Sequence, residues 1–220
     1  METIAVIDFE TTGMAGRGGG RATEIAAVLV RDGQIVDQYA SLMQAGVAVP
    51  PFIERLTGIS NAMLADAPAA ADVMREVAAF TAGCPLVAHN ASFDRSFWLA
   101  ELALAGAAPD PAHEFACTVL LARRLYPEAP NCKLGTLAEF FDLPRSGRAH
   151  RALADALVTA RLLLRMQRDL ERRFSVALGQ APPGHALLAR LQYAQRTKLE
   201  ACVRDHARRW HSTRQLSLLQ

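Results

Sequence analysis

The sequence predicts an α/β protein: a mixed sheet flanked by helices, followed by a C-terminal helical extension. Two observations indicate this class. In the first third of the chain, short apolar runs are separated by turn residues, as in neighbouring antiparallel strands. Further on, apolar positions at helical spacing alternate with short apolar runs. This order is typical of helices packed on a sheet that also contains parallel strands.

Three antiparallel strands are expected at the N-terminus. Residues 4–7 form a short apolar run that ends in Asp8. The segment 13–20 contains five glycines, which exclude regular structure. Residues 22–43 have the pattern of a hairpin, because Asp32 and Gly33 provide a turn between two runs.

Helices and strands are expected to alternate after residue 50. Pro50 and Pro51 open a helical stretch, because proline is tolerated in the first turn of a helix. The other expected elements are a helix through Val73, Val77 and Phe80, a buried strand at 84–88, a helix at 92–105, a strand at 115–118, and helices at 120–126, 133–141 and 150–170.

Residues 171–220 differ in composition from residues 1–170. We expect an appended amphipathic helix there and not a second catalytic domain, so the predicted domain is 1–170. The extension carries nine Arg or Lys against three acids, a balance of +6, which leaves −4 of the net +2 for residues 1–170. An acidic body with a basic tail suits an enzyme that collects carboxylates around metals and binds a polyanion, although a solvated arginine-rich helix face explains the charge equally well.

Secretion and membrane insertion are not expected. No apolar run approaches the roughly 20 residues that span a bilayer, and the N-terminus leads into a strand without signal-peptide features. The even number of cysteines, four, could indicate disulfides, but reduced thiols are expected in a chain that is not exported. The lack of a closely spaced pair argues against zinc. The protein is therefore expected to be cytoplasmic, with no membrane partner.

The first candidate site is formed by Asp8 and Glu10. Side chains alternate along a strand, so these two should project to the same side, about 7 Å apart. Two such carboxylates repel each other unless a cation lies between them, and oxygen-rich sites favour Mg²⁺ or Mn²⁺. For this motif alone, a pair of solvated acids near a turn is the simpler alternative.

The second candidate is Asp94, where an apolar strand runs through a polar turn into a helix. The helix dipole favours an anion in the first turn, which by itself accounts for this residue. However, Asn90 and Ser92 add hydrogen-bonding groups at the same strand-to-helix corner, where α/β folds place ligands.

The third candidate combines His150 and Asp155. His150 is expected at the start of a helix, with Asp155 five residues later. Five residues turn a helix through about 500°, so the two side chains should point in different directions and need not bind the same metal. A surface or capping histidine is the alternative for His150.

Together these motifs resemble those of the DEDDh exonucleases of the ribonuclease H-like fold, and within them the epsilon-subunit-like proofreading branch of bacterial DNA polymerase III. The resemblance covers about residues 3–168. It is carried by residues 8–13, 89–94 and 150–155 in the family's order and rough spacing, and segments 56–59, 120–127 and 133–137 are also similar.

The resemblance implies a 3′→5′ exonuclease with two divalent cations, Mg²⁺ or Mn²⁺. Asp8 would bridge both ions. Glu10 and Asp155 would hold the ion that binds the attacking water, and Asp94 would complete the second site. His150 would be the general base, since the pKa of imidazole lies near working pH.

The resemblance also implies contacts to the terminal nucleotide. Two threonines would meet it, with backbone N–H groups reading its free 3′-OH, and two apolar residues would form a wedge between the last two bases. Core packing is an equal alternative for Ile59. An insertion at 14–20 lengthens the loop at the substrate entrance. The implied substrate-binding residues are Thr11, Thr12, Leu56, Ile59, Asn90 and Phe93.

The expected substrate is DNA with a free 3′ end, in proofreading or repair. RNA trimming is the alternative, because relatives such as ribonuclease T and oligoribonuclease share the five residues and recognition of a 2′-OH is not legible in the sequence. A non-catalytic accessory protein that binds a clamp or a polymerase is a third possibility, which the presence of all four carboxylates disfavours.

A short piece of the tail, residues 215–219, resembles the pentapeptide by which bacterial replication proteins dock on the sliding clamp. Leu216, Leu218 and Leu219 would supply apolar anchors and Gln215 would fix the register. Such a match also arises by chance in a leucine-containing terminus. A DNA polymerase is a further candidate partner, although the tail matches no known polymerase-binding segment.

Overall fold

The computed structural model describes residues 2–14, 19–145 and 147–217. Within these ranges one sheet is found, with the strand order β3-β2-β1-β4-β5. The strands are β1 (Ile4–Thr11), β2 (Ala22–Arg31), β3 (Gln34–Leu42), β4 (Leu86–Ala88) and β5 (Phe115–Cys117).

The sheet is mixed, as the sequence predicts. β1 pairs antiparallel with β2, and β2 pairs antiparallel with β3, whereas β4 is parallel to both β1 and β5. Asp32 and Gly33 join β2 to β3 with φ angles of 53° and 76°. Two consecutive positive φ angles are the requirement of the hairpin turn that matches the twist of its strands, so the Asp-Gly pair explains the predicted hairpin.

Helices cover both faces of the sheet. None of those within the described ranges is both long and apolar enough to cross a membrane. The sequence prediction placed His150 at the start of a helix, but that helix begins at Ala152. The helices are α1 (Pro51–Thr57), α2 (Asn61–Ala65), α3 (Ala70–Phe80), α4 (Ala91–Leu104), α5 (Thr118–Leu125), α6 (Leu134–Phe140), α7 (Ala152–Arg173), α8 (Ser175–Leu178), α9 (His185–Leu191) and α10 (Leu199–Ser217).

Two apolar cores lie on opposite faces of the sheet. Alternation along β1 divides its residues between them: Ile4 and Val6 belong to the core that includes α7, whereas Ala5 and Ile7 belong to the core that includes α3 and α4. β1 is the central strand and is buried on both sides, which explains why its apolar run is continuous.

The C-terminal extension contains α8, α9, α10 and a 3₁₀ turn (Arg196–Lys198), and not the single appended helix that the sequence predicted. Its apolar side chains join the core on the α7 side of the sheet. Gln192, after α9, covers the edge of β5: its Oε1 accepts the Cys117 N–H at 2.8 Å, and its Nε2 donates to the Phe115 carbonyl at 3.2 Å. The extension therefore closes one edge of the sheet.

Candidate active site

Asp8 and Glu10 lie at the end of β1 on the face that packs against α7. Ile4 and Val6 occupy this face further back and fill the core. Alternate residues of a strand share a face, so Asp8 and Glu10 continue the face of Ile4 and Val6 beyond the edge of that core. Both acids are partly buried. The placement of the two on one side of β1 agrees with the sequence prediction.

Asp94 is held against β1 by a backbone hydrogen bond. β4 pairs with β1 only through Ala5 and Val6, so the N–H of Phe9 lies beyond the end of β4. That N–H donates to Oδ1 of Asp94 at 3.2 Å. Asp94 sits in the first turn of α4 and is only 2% exposed. The bond fixes a third carboxylate beside the backbone segment that joins Asp8 to Glu10.

His150 and Asp155 approach each other, contrary to the sequence prediction that they point in different directions. His150 precedes α7 and has a φ of 60°, so the angular rule for a helix does not apply to it. Its N–H donates to Oδ2 of Asp155 at 3.2 Å, and Asp155 lies in the first turn of α7. The loop before the helix folds back over the helix entrance and brings the exposed imidazole with it.

Five candidate residues converge at this place. One ligand atom each from Glu10, His150 and Asp155 lie within 4.8 Å of one another, a spacing that fits a metal ion. Asp8 is close enough to Glu10, Asp94 and Asp155 for each of them to raise the pKa of its carboxyl group. Oxygen-rich clusters of this kind suit Mg²⁺ or Mn²⁺.

Burial raises the pKa values of all four carboxyl groups, and repulsion by neighbouring carboxylates raises those of Asp8 and Glu10 further. Burial is the largest cause in each case, followed for Asp8 by Asp94 and for Glu10 by Asp155. The pKa of Glu10 is raised to about 8 and that of Asp94 to about 7. Without a cation, the site therefore disfavours its fully ionised form at neutral pH.

Glu24 and Arg151 support the site, and this role of the two residues was not predicted from the sequence. Glu24 lies opposite Glu10 across β1 and β2, and it is 5% exposed. Its carboxylate accepts Nη2 of Arg151 at 2.7 Å and the N–H of Ala152 at 2.9 Å. The pair fastens the start of α7 to the sheet next to the cluster. A lone acid inside the apolar run of β2 was the available signal, because a buried charge needs a partner.

Arg148 connects the His150 loop to α1. Its Nη2 donates to the Arg55 carbonyl at 3.1 Å, at the C-terminal end of α1. Gly58 follows this helix with a φ of 75°, and a Cβ there would lie 2.3 Å from Nη1 of Arg148. The positive φ favours glycine at this position, and a side chain there would also displace the end of the arginine.

The two residues expected to form the base wedge have different environments. Leu56 is 47% exposed near the end of α1, where an apolar side chain can meet a base. Ile59 is fully buried and packs with Val49 and Leu64. In this structure Ile59 therefore does not reach a base, and the alternative of core packing explains its apolar side chain.

Thr11 and Thr12 shape the loop after β1. Oγ1 of Thr11 donates to the Gly13 carbonyl at 2.8 Å, and Oγ1 of Thr12 accepts the Arg21 N–H at 3.0 Å. The N–H of Thr12 donates to the Arg21 carbonyl at 2.9 Å, so this N–H is not available to read a 3′-OH as expected. Residues 15–18 of the insertion lie outside the described residues.

A cleft of about 810 Å³ opens beside the carboxylates, lined by His150 and Asp155. Asn90 also lines it, with a φ of 67° at the start of α4. Phe93 does not belong to this lining; its ring packs against Phe97 at a centroid distance of 5.0 Å. The cations on the walls of this cleft, which we call the active-site cleft, are Arg123, Lys133 and Arg145.

The structure does not place the proposed clamp peptide. Leu218 and Leu219 lie outside the described residues, while the backbone at Gln215 and Leu216 belongs to the end of α10. A peptide that docks in an extended form would have to leave this helix. The clamp contact therefore rests on sequence alone.

Known proteins resemble this chain over most of its length. A family model described as exonuclease, RNase_T, matches residues 5–163. The DNA polymerase III PolC-type of Bacillus subtilis is 39% identical over 171 residues, which cover 76% of this chain and 12% of the relative. The 3′-5′ exonuclease DinG of Bacillus subtilis is 37% identical over 171 residues, which cover 78% of this chain and 18% of that relative. The chain thus spans less than a fifth of these curated relatives.

Among solved structures, exonuclease X in complex with 5′ overhanging duplex DNA superposes with a TM-score of 0.60 and is 33% identical. The match covers 75% of this chain and 91% of that chain. The family model, which matches residues 5–163, spans Asp8, Glu10, Asp94, His150 and Asp155. The family match therefore covers all the residues of the candidate site and not an isolated motif.

The raised carboxyl pKa values predict that the metal-free protein loses stability as pH rises from about 5 to 8. The folded state holds these protons more tightly than the unfolded state does. The resulting stabilisation is complete at pH values below the ordinary carboxyl pKa of the unfolded chain. It is lost as the pH rises through the raised pKa of Asp94, about 7, and of Glu10, about 8. Urea unfolding in EDTA measures this slope, which approaches about 1.4 kcal/mol per pH unit for each differing proton.

Added Mg²⁺ should flatten that decline, because it replaces the protons as the neutralising charge. The variant Asp8→Asn/Glu10→Gln is the control and should show a shallower slope in EDTA. A flat profile for the wild-type protein in EDTA, or a decline that Mg²⁺ does not change, would contradict the assignment of this cluster to a cation.

Proposed function

This chain belongs to the DEDDh exonuclease family of the ribonuclease H-like fold, and from that premise we propose that it hydrolyses the 3′-terminal phosphodiester bonds of DNA with two divalent cations. One observation carries the proposal: Asp8, Glu10, Asp94, Asp155 and His150 converge at the mouth of a cleft although they come from three separate segments. No packing role requires four acids in one place.

The proposed metal ligands are Asp8, Glu10, Asp94 and Asp155. Two divalent ions bound there would neutralise charge on the phosphate and on the leaving oxygen and would lower the pKa of a bound water. The chain's own contribution is to hold the ligands in place before substrate arrives. The Phe9 N–H fixes Asp94, the His150 N–H fixes Asp155, and Glu24 fixes the start of α7.

His150 is proposed as the general base. In the hydrolysis, the oxygen of water bonds to phosphorus while the bond from phosphorus to the 3′ oxygen breaks. The imidazole takes the proton of the water, and the leaving 3′ oxygen takes a proton from solvent. The products are a nucleoside 5′-monophosphate and a strand with a new 3′-OH. An exposed imidazole on a loop at the rim can receive this proton and return it to solvent.

The active-site cleft is proposed to hold the last nucleotides. Arg123 and Lys133 are exposed on its walls and supply positive charge for phosphates. Asn90 would contact the terminal nucleotide, and Leu56 would be the apolar wedge. Thr11 and Thr12 would shape the floor beside the 3′ end. Phe93 would act from the core behind this floor, through Phe97.

DNA is the proposed substrate because the relatives include a DNA polymerase III PolC-type protein and an exonuclease solved with duplex DNA. Residues 1–170 are proposed as the catalytic domain and 171–220 as its extension. A polymerase partner is supported by the PolC-type relatives alone. Docking on a sliding clamp through Gln215, Leu216, Leu218 and Leu219 is supported by the sequence pattern alone.

We predict stepwise shortening of 5′-labelled single-stranded DNA from its 3′ end in Mg²⁺ and none in EDTA. Asp8→Asn should reduce kcat by at least about 10³-fold while keeping the fold, because it removes the central charge of the metal site. Gel electrophoresis of the products measures this, with an RNA strand of the same sequence as the comparison. If RNA is cleaved faster than DNA, RNA is the preferred substrate and the DNA proposal is wrong. If the wild-type protein leaves both strands intact, the proposed exonuclease activity is wrong.

His150→Gln should lower kcat by about 10²- to 10⁴-fold with KM nearly unchanged. The side chain is exposed, so its replacement removes no core packing. Thermal unfolding checks the fold, and His211→Gln, at an exposed position in α10, is the matched control. A His150→Gln variant that retains the wild-type kcat would exclude the base role.

A further inference from the structure

Tyr193 is an exposed aromatic residue held between two fixed neighbours. On one side, the side chain of Gln192 is bound to the backbone of β5, including the Cys117 N–H at 2.8 Å. On the other side, Nε of Arg124 in α5 donates to the Ala194 carbonyl at 3.0 Å. Tyr193 itself is 72% exposed. The fold thus fixes the backbone of this residue while leaving its ring in solvent.

The ring borders a second cavity, of about 610 Å³, which we call the exit cavity. Three residues line both this cavity and the active-site cleft: Asn90, Val119 and Arg123. The two spaces are therefore neighbours across a shared wall formed by the start of α4 and by α5. A nucleic acid strand that leaves the active-site cleft past Arg123 would enter the exit cavity directly.

The exit cavity has the charge and surface that suit a nucleic acid strand. Arg95 and Arg123 line it, both are exposed, and neither forms an ion pair with any acid in the described ranges. Glu114 is the one acid among the described residues that line it. Arginines that contact phosphates, together with an aromatic ring that stacks a base, are the elements by which proteins bind single strands without sequence preference.

We propose that the single strand just upstream of the cleaved nucleotide lies in the exit cavity. Its phosphates contact Arg123 and then Arg95, and one base stacks on Tyr193. The C-terminal extension thereby forms part of the substrate site, since Gln192 positions this ring from the edge of β5. The proposal rests on the exonuclease function and adds the path of the strand to it.

The experiment measures binding and cleavage separately. Binding of a fluorescent single-stranded DNA of about 12 nucleotides is followed by anisotropy in EDTA, and cleavage is followed in Mg²⁺. The cleavage substrates are the same strand and p-nitrophenyl thymidine 5′-monophosphate, which is too short to reach the exit cavity. For Arg95→Gln/Tyr193→Ala we expect about tenfold weaker binding and a similar rise in KM for the long strand, with less than a twofold change on the short substrate.

Two matched variants separate stacking and local charge from general effects. Tyr193→Phe keeps the ring and should bind as the wild type does. Arg31→Gln removes one exposed arginine at the far end of β2 and should also bind normally. Unchanged binding by the double variant, or an equal loss on both cleavage substrates, would overturn the proposed path. If the wild type binds the strand and the double variant does not, while neither cleaves DNA, the exit cavity remains a binding site for the single strand and the exonuclease proposal fails.

Discussion

The burial of four neighbouring carboxylates, with repulsion acting on Asp8 and Glu10, is the constraint on which the site depends. β1 carries Asp8 and Glu10 out of the core on one face, and the fold brings Asp94 and Asp155 toward them from two helices. The raised pKa values of these groups show that the arrangement costs free energy when all are ionised. The neighbouring structure holds the groups in place through hydrogen bonds to backbone N–H groups and leaves their charge to be neutralised by cations.

The entrance of α7 organises the side of the site that carries His150. Glu24 binds Arg151 and the N–H of Ala152, so the helix start is fixed to the sheet beside Glu10. The loop before it is fixed at Arg148 to the end of α1. His150 lies between these two attachments, with its N–H on Asp155. Its position is therefore determined by contacts that do not involve its own side chain, so the imidazole stays exposed to solvent.

Most of the fold could be predicted from the sequence because its signals are local. The alternation in β1, the Asp32-Gly33 turn and the helical spacing at Val73 and Val77 each report on neighbouring residues. The site was predictable as a set of residues but not in its geometry. The approach of His150 to Asp155 depends on a positive φ that no spacing rule contains. The burial of Ile59 and the use of the Thr12 N–H within the loop depend on contacts distant in sequence.

Titration of the protein with Mn²⁺, followed by the electron paramagnetic resonance signal of the free ion, tests whether the carboxylate cluster binds cations. We expect two bound ions per chain at neutral pH, because divalent charge stabilises the ionised form of four buried, neighbouring carboxylates. Asp8→Asn should weaken both sites, since this carboxylate is close to the other three. Failure of the wild-type protein to bind Mn²⁺, or unaltered binding in Asp8→Asn, would contradict the central claim.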